Sequence, residues 1–152
     1  NLQIDAYLPS DYISDERQKI EVYKRIREID NCVNYEHLQD ELIDRFGEYP
    51  DVVAYLLEIG LVKSYLDQAF VALVERKQES VIIRFEKISQ QIYLTQDYFE
   101  ALSTTNLKAR IGEQQGLIEV VFDVRKKKDF EILENLLNFG EKLIEIKNRK
   151  AE

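Results

Sequence analysis

The chain has 152 residues, of which 45% are hydrophobic and 33% charged, a composition typical of a folded globular protein and unlike that of a disordered chain. No apolar run approaches the roughly 20 residues that a membrane-spanning helix needs, and the single cysteine, Cys32, excludes an internal disulfide. The formal net charge is −8, and residues 1–60 carry all of this excess, with 6 basic and 14 acidic residues against 15 of each in residues 61–152.

The first predicted element is a strand over residues 2–8. Apolar and polar side chains alternate there with period two, and Pro9 ends the pattern. Because the chain starts inside this pattern and contains no methionine, we expect it to be a fragment of a longer polypeptide.

Three helices are predicted next, over residues 15–30, 35–46 and 50–69. Ser14-Asp15-Glu16 supplies an N-cap, and Gly47 ends the second helix. A glycine inside the third, at position 60, indicates a weak point or a close approach of another element. The side chains predicted to be buried are Ile20, Val22, Tyr23, Ile26, Ile29, Leu38, Leu42, Phe46, Val53, Leu56, Leu57, Leu61 and Tyr65.

After residue 70 the apolar period changes from helical to strand-like. The elements predicted there are strands over 71–75, 81–85 and 91–95, a helix over 96–103, a hairpin of 107–111 with 117–124, and a helix over 127–146. Their predicted inward side chains are Tyr98, Phe99, Leu102, Phe130, Leu133, Leu136, Leu137 and Ile144. Helices followed by a mainly antiparallel sheet with packed helices predict an α+β fold.

The sequence shows no pattern for catalysis or for binding of a cofactor or metal. The five glycines form no phosphate-binding loop, and no set of nucleophile, base and orienting residue can be assembled from spacing. Cys32 and His37 lack the further ligands of a zinc site. We therefore predict a non-catalytic chain with no cofactor and no metal, and expect the cytoplasm as its location because cysteine is so scarce.

The charge distribution leaves open which macromolecule the chain binds. Its acidic first part is poorly suited to a phosphate backbone and better suited to a basic protein surface, although acidity can also serve solubility alone. One basic run, Arg125–Lys128, makes a nucleic-acid-binding accessory domain the alternative function. The competing interpretation of this run is a solvated turn, because acidic residues follow it directly.

Residues 40–50 read Asp-Glu-Leu-Ile-Asp-Arg-Phe-Gly-Glu-Tyr-Pro and resemble a signature of the C-terminal (TRCF) domain of bacterial transcription-repair coupling factors. The opening is similar to that family as well, in Ala6-Tyr7-Leu8-Pro9, Tyr12-Ile13 and the segment from Asp15 to Arg25. Ser14 is a departure, since relatives often have proline there, but a serine can still cap the helix. The resemblance is specific over about residues 1–66.

The resemblance implies that residues 1–152 form a single regulatory domain of a longer chain, with a mostly helical part over 1–70 and a sheet with helices over 71–152. The parent would be an ATP-dependent DNA translocase that removes stalled RNA polymerase and recruits nucleotide-excision repair, with its motor elsewhere in the chain. The domain would dock on a UvrB-like N-terminal domain of the same polypeptide, mask the surface that binds UvrA, and restrain the translocase. UvrA and RNA polymerase would be indirect partners, with no direct contact to nucleic acid or membrane.

The resemblance also assigns Glu41, Asp44 and Arg45 to contacts between domains. Their spacing of i, i+3 and i+4 places them on one face of the second predicted helix, beside the apolar stripe that contains Leu38 and Leu42. The alternative is that Glu41 and Arg45 form an ordinary pair within the helix, which contributes about 0.3–0.5 kcal/mol. Both interpretations stay open on the sequence alone.

Overall fold

A computed structural model describes residues 1–152, which divide into two compact units, Ile4–Ser64 and Asn1–Gln3 with Tyr65–Glu152. The elements in chain order are α1 (Glu16–Arg27), α2 (Cys32–Phe46), α3 (Asp51–Gln68), β1 (Val71–Lys77), β2 (Ser80–Phe85), a 3-10 helix (Lys87–Gln91), α4 (Thr95–Leu102), β3 (Ala109–Gln114), β4 (Leu117–Asp123) and α5 (Asp129–Ala151). No helix is long and apolar enough to cross a membrane. The predicted α+β class is confirmed, whereas the prediction of a single regulatory domain stays a prediction.

Local capping fixes the ends of the first two helices. The Asp15 carboxylate accepts hydrogen bonds from the backbone N–H groups of Arg17 and Gln18, which satisfies two donors that the first turn of α1 leaves free. Asn31 and Asn34 form a capping box at the start of α2. Gly47 ends α2 with φ 87°, a backbone conformation that favours glycine, as the sequence predicts.

The core of the first unit lies between α1, α2 and α3. Its fully buried side chains include Val22 of α1, Leu38 and Leu42 of α2, and Val53 and Leu57 of α3. The predicted close approach at Gly60 is confirmed. A Cβ there would lie 2.9 Å from Ile26 Cγ2 and 3.1 Å from the Ile26 carbonyl oxygen, so α1 and α3 touch where α3 has no side chain.

Three details of the first unit differ from the sequence predictions. Residues 2–8 form no strand, although more and less exposed side chains alternate there, because their backbone groups form no ladder with another strand. Tyr7 N bonds to the Val52 carbonyl oxygen and Leu8 N to the Tyr23 hydroxyl instead. Ile20 is 66% exposed, since the buried stripe of α1 runs through Val22 and Ile26. Phe46 is half-buried rather than part of the core, because it lies in the last turn of α2.

The second unit contains a four-stranded antiparallel sheet with the order β1-β2-β4-β3. Both predicted hairpins are present, and β2 joins β4 at the centre, with Ile83 opposite Val120 and Val81 opposite Phe122. These side chains face α5, whose Phe139 ring lies 5.3 Å from that of Phe122. The core of the unit is therefore between one face of the sheet and the helices.

The predicted strand over residues 91–95 is wrong. A 3-10 helix and the start of α4 occupy this region, and Tyr93 is buried there with its hydroxyl donating to the Leu143 carbonyl oxygen at 3.3 Å. Two aromatic side chains predicted to point inward, Phe99 and Phe130, are 58% and 48% exposed. Tyr98 on α4 and Leu133 on α5, which are also predicted to point inward, are buried.

A candidate docking surface on helix α2

The three residues predicted to make contacts between domains lie on α2. Arg45 Nη1 donates to Glu41 Oε2 at 3.0 Å, so the ordinary pair within the helix exists. Asp44 is exposed and makes no side-chain hydrogen bond or ion pair. The structure therefore brings Glu41 and Arg45 together and leaves Asp44 to solvent, while the assignment of all three to docking stays a prediction.

Glu41 also has a second partner, which the sequence reasoning missed. The Arg25 guanidinium of α1 donates to the same oxygen, Glu41 Oε2, so that one carboxylate joins the two helices. Arg45 in turn lies 3.7 Å from the Glu21 carboxylate of α1. A signal for this network is present in the sequence, because Glu21 and Arg25 have the same i, i+4 spacing on α1 that Glu41 and Arg45 have on α2.

This arrangement keeps Glu41 ionised. The hydrogen bond from Arg25 lowers the pKa of the Glu41 carboxyl below its ordinary value, the bond from Arg45 acts in the same direction, and partial burial opposes both. Because both guanidinium groups donate to Oε2, the other oxygen, Oε1, has no hydrogen bond within the chain. The side chain is 34% exposed, so this oxygen is available to a donor from a partner.

The solvent-facing side of α2 carries a stripe formed by Val33, His37, Asp40 and Asp44. Their spacing of four, three and four residues places them on one line along the helix, and all four are exposed. Neither Asp40 nor Asp44 has an ion-pair partner, and no basic side chain belongs to the stripe apart from His37. We call this stripe, together with Glu41 at its border, the α2 acidic face.

Aromatic contacts hold the C-terminal end of α2, where the acidic face ends. The Tyr12 hydroxyl donates to the Gly47 carbonyl oxygen at 2.8 Å, and the Tyr12 ring lies 5.9 Å from that of Phe46. The Arg45 guanidinium lies over the Phe46 ring at 4.9 Å. Arg45 is therefore fixed by a carboxylate on one side and an aromatic ring on the other.

The sequence also draws attention to a candidate metal site and to a basic run, Arg125–Lys128. Cys32 and His37 are both exposed, and no group of three or more His, Cys, Asp or Glu side chains is placed to hold a metal ion. In the basic run, the Arg125 guanidinium binds the Asp123 carboxylate at 2.8 Å and lies 3.9 Å from Glu79. This hydrogen bonding lowers the pKa of Asp123 to about 2, so the charge of Arg125 is largely neutralised by acidic neighbours.

Comparisons with known proteins give a consistent picture. The model of the TRCF domain family matches residues 2–96. A transcription-repair-coupling factor of Bacillus subtilis is 29% identical over 149 residues, covering 98% of this chain and 13% of that protein. One of Staphylococcus epidermidis is 32% identical over 126 residues, covering 83% of this chain and 11% of that protein. The chain thus spans roughly a tenth of the length of these curated relatives.

A solved structure is similar over nearly the whole chain. The crystal structure of the C-terminal domain of a transcription-repair coupling factor is 71% identical, with a TM-score of 0.96, and the match covers 98% of this chain and 92% of that one. The family model also matches more than half of the chain, including all of α1, α2 and α3. The chain therefore belongs to the TRCF domain family and is a C-terminal domain of a transcription-repair coupling factor.

Proposed function

We propose that this domain is an autoinhibitory docking module, which binds through the α2 acidic face to a UvrB-like domain of the same longer polypeptide. In the docked state it masks the surface for UvrA and restrains an ATP-dependent DNA translocase, while the domain itself catalyses nothing. UvrA and RNA polymerase are then indirect partners, and the cytoplasm is where the parent acts.

The observation that carries this proposal is the unpaired state of Asp44 on a helix whose neighbouring charges are already paired. Glu21, Arg25, Glu41 and Arg45 satisfy one another, so they hold α1 and α2 in register without any partner. Asp44 and the Oε1 atom of Glu41 remain as acceptors without a hydrogen bond within the chain. A basic partner surface supplies the missing donors.

The expected strength of such contacts fits a releasable lock. A hydrogen bond to a charged group contributes about 1.5–3 kcal/mol, so two such bonds contribute about 3–6 kcal/mol. Removing about 3 kcal/mol shifts an equilibrium by roughly 150-fold, which converts a population that is 99% closed into one that is mostly open. A competing partner that binds the open state can shift the equilibrium by the same amount.

The experiment is a titration of the domain against the isolated UvrB-like domain of the same parent, at low and at physiological salt. Asp44→Lys should weaken binding by at least about tenfold, because it removes an acceptor and adds a repulsive charge. Glu134→Lys is the matched control, since Glu134 is an exposed acidic residue on α5 without a partner. It should bind as the wild type does.

In the full-length parent, Asp44→Lys should increase both UvrA binding and ATP turnover without DNA, whereas Glu134→Lys should change neither. Circular dichroism and urea midpoints will show that both variants fold. The proposal fails if the wild-type domain does not bind the UvrB-like domain, or if Asp44→Lys and Glu134→Lys behave alike in the titration.

A further inference from the structure

The two edge strands of the sheet, β1 and β3, differ in whether their outward backbone groups have hydrogen-bond partners. At the β1 edge, Asn1 follows the strand as a short extension: its nitrogen donates to the Val74 carbonyl oxygen at 2.9 Å, and its carbonyl oxygen accepts from Arg76 N at 3.0 Å. The Gln3 side chain then donates to the Arg76 carbonyl oxygen at 3.2 Å. Residues 1–3 therefore occupy three backbone groups that β1 turns outward: the Val74 carbonyl oxygen and both the N–H and the carbonyl oxygen of Arg76.

The β3 edge has no such cover. In an antiparallel pair, alternate residues turn their N–H and C=O groups to the neighbouring strand and away from it. The two-residue turn at Gln115-Gly116 and the bond from Asp123 N to the Lys108 carbonyl oxygen fix which residues of β3 bond to β4. The backbone groups of Ala109, Ile111 and Glu113 therefore point outward, and none of them has a hydrogen-bond partner.

On one face of the sheet, the side chains beside this edge are small or basic, whereas Ile111 and Glu113 alternate to the other face. Ala109 and Gly112 leave the backbone accessible, and a Cβ at Gly112 would meet nothing within 4 Å. Arg110 lies opposite Val121, on the face of the sheet away from α5, and it is exposed with no ion pair or side-chain hydrogen bond. Lys108 is on the same face by alternation and is exposed as well.

An open groove of about 430 Å³ lies on this face next to β3. Its lining includes Lys108 and Arg110, together with the Arg125–Asp123 pair and Glu79. Within the groove, Asp123 and Glu79 already engage Arg125, so Lys108 and Arg110 are the cations that remain without an ion pair. An added strand along β3 would place alternate side chains over Lys108 and Arg110.

We infer that β3 is an acceptor site for an extended acidic segment of a partner protein, which adds to the sheet as a fifth strand. Its backbone satisfies the outward groups of Ala109, Ile111 and Glu113, and its alternate carboxylates bind Lys108 and Arg110. A nucleic acid fits less well, because its phosphate backbone offers acceptors and cannot pair with both the N–H and the C=O groups of a strand edge. This site is separate from the α2 acidic face and does not depend on it.

The test measures amide hydrogen exchange in the whole chain by NMR, with and without an octapeptide of alternating valine and glutamate with blocked ends. The peptide should slow exchange at Ala109, Ile111 and Glu113 by at least about tenfold, because these amides gain acceptors. Arg110 and Gly112 already donate to β4 and should change little. Peptide binding without selective protection of the three outward amides would overturn the inference, because it would show attraction of charge alone.

Two sets of variants distinguish the contribution of backbone pairing to peptide binding from that of the positive charges. Lys108→Glu with Arg110→Glu should weaken binding of the acidic peptide by at least about fivefold and should favour a valine-lysine octapeptide instead. Ala109→Pro removes an outward N–H that the fold does not use and should weaken both peptides. Since this proline can disturb β3, spectra of the free variant must show that the remaining amides between β3 and β4 are still protected from exchange. If they are not, the variant with Lys108→Glu and Arg110→Glu decides the outcome alone.

Two further results would overturn the inference. One is an oligothymidine octamer that binds β3 as tightly as the acidic peptide does, which would make the site one for nucleic acid. The other is protection of the outward amides that rises with protein concentration in the absence of peptide, which would make a second copy of the chain the occupant.

Discussion

Replacement of Gly60 by alanine sets two opposing effects against each other. In a helix interior this change normally stabilises by about 1 kcal/mol, because glycine has the greater backbone freedom to lose. Here the new methyl group would lie 2.9 Å from Ile26 Cγ2, 3.1 Å from the Ile26 carbonyl oxygen and 3.5 Å from Ile29 Cδ1. The first two distances are well below the 3.5–4.0 Å of a favourable carbon contact.

Relief of this overlap requires α1 to move, because the carbonyl oxygen belongs to its backbone. Overpacking of this kind costs about 1–3 kcal/mol. We therefore expect Gly60→Ala to lower the free energy of unfolding by up to about 2 kcal/mol, as measured from urea titrations followed by circular dichroism. Gly140→Ala is the comparison: its contacts are less close, with Leu66 Cδ2 at 3.2 Å and Tyr65 Cβ at 3.3 Å, so it should lower the free energy of unfolding less than Gly60→Ala does.

A double-mutant cycle tests whether the overlap with Ile26 causes the loss of stability in Gly60→Ala. Ile26→Ala removes the Cγ2 methyl group, so adding Gly60→Ala in that background should cost at least about 1 kcal/mol less than it does alone. Ile26→Val retains this methyl group and should give no relief. A Gly60→Ala variant that is more stable than the wild type would refute the reasoning, since helix propensity would then outweigh the close approach.

Three further predictions concern Glu41, Phe46 and Asp97. Glu41→Gln should cost less than about 1 kcal/mol at pH 7, because the side chain is one-third exposed. Since Arg25 lowers the pKa of Glu41 in the folded state, this stabilisation is present above the unfolded pKa and is lost as the pH falls through the folded pKa, so the urea midpoints of variant and wild type should converge as the solution is acidified below the ordinary pKa of a glutamate. Phe46→Ala should cost about 1–2 kcal/mol by the same assay, below the 3–5 kcal/mol of a fully buried phenylalanine, and a cost in that upper range would contradict the half-buried position. Asp97→Asn should cost about 1–3 kcal/mol, because the buried carboxylate accepts from Leu94 N at 2.7 Å and from the Lys150 ammonium at 2.8 Å, and an unchanged thermal midpoint would show that these bonds contribute nothing net.

The sequence predicted best what local chemistry decides. The N-cap within Ser14-Asp15-Glu16, the Gly47 stop and the two hairpins depend on a few neighbouring residues, and all of them are present, with Asp15 rather than Ser14 as the capping residue. The strand over residues 2–8 failed because alternation reports which side chains are buried and does not report whether a second strand lies alongside. In the structure, the backbone of this segment bonds to scattered groups, such as Tyr7 N to the Val52 carbonyl oxygen.

The sequence predicted which segments form helices more reliably than it predicted which face of each helix is buried. In α1 and just after it, positions 20, 23 and 26 and positions 22, 26 and 29 form two apolar, helically spaced sets that share Ile26. The packing of α3 favours the second set, because Gly60 lies close to Ile29 as well as to Ile26. On α4, Tyr98 and Phe99 are adjacent and both aromatic, yet of these two only Tyr98 lies against the Phe85 ring of β2, and Phe99 is exposed. Contacts between distant segments decide such cases, and a period within one segment carries no information about them.

The same limit applies to the predicted docking residues, and it separates their roles. Sequence spacing gave the pair of Glu41 with Arg45 but could not give Arg25, which comes from another helix. Because Glu41 Oε2 joins α1 to α2, reversal of Glu41 to lysine should weaken both the fold and any docking. Asp44 touches no other charged group, so its reversal should leave urea midpoints within about 0.5 kcal/mol of the wild type and affect docking alone. Equal losses of stability in the two variants would mean that Asp44 also belongs to the network that holds the helices together.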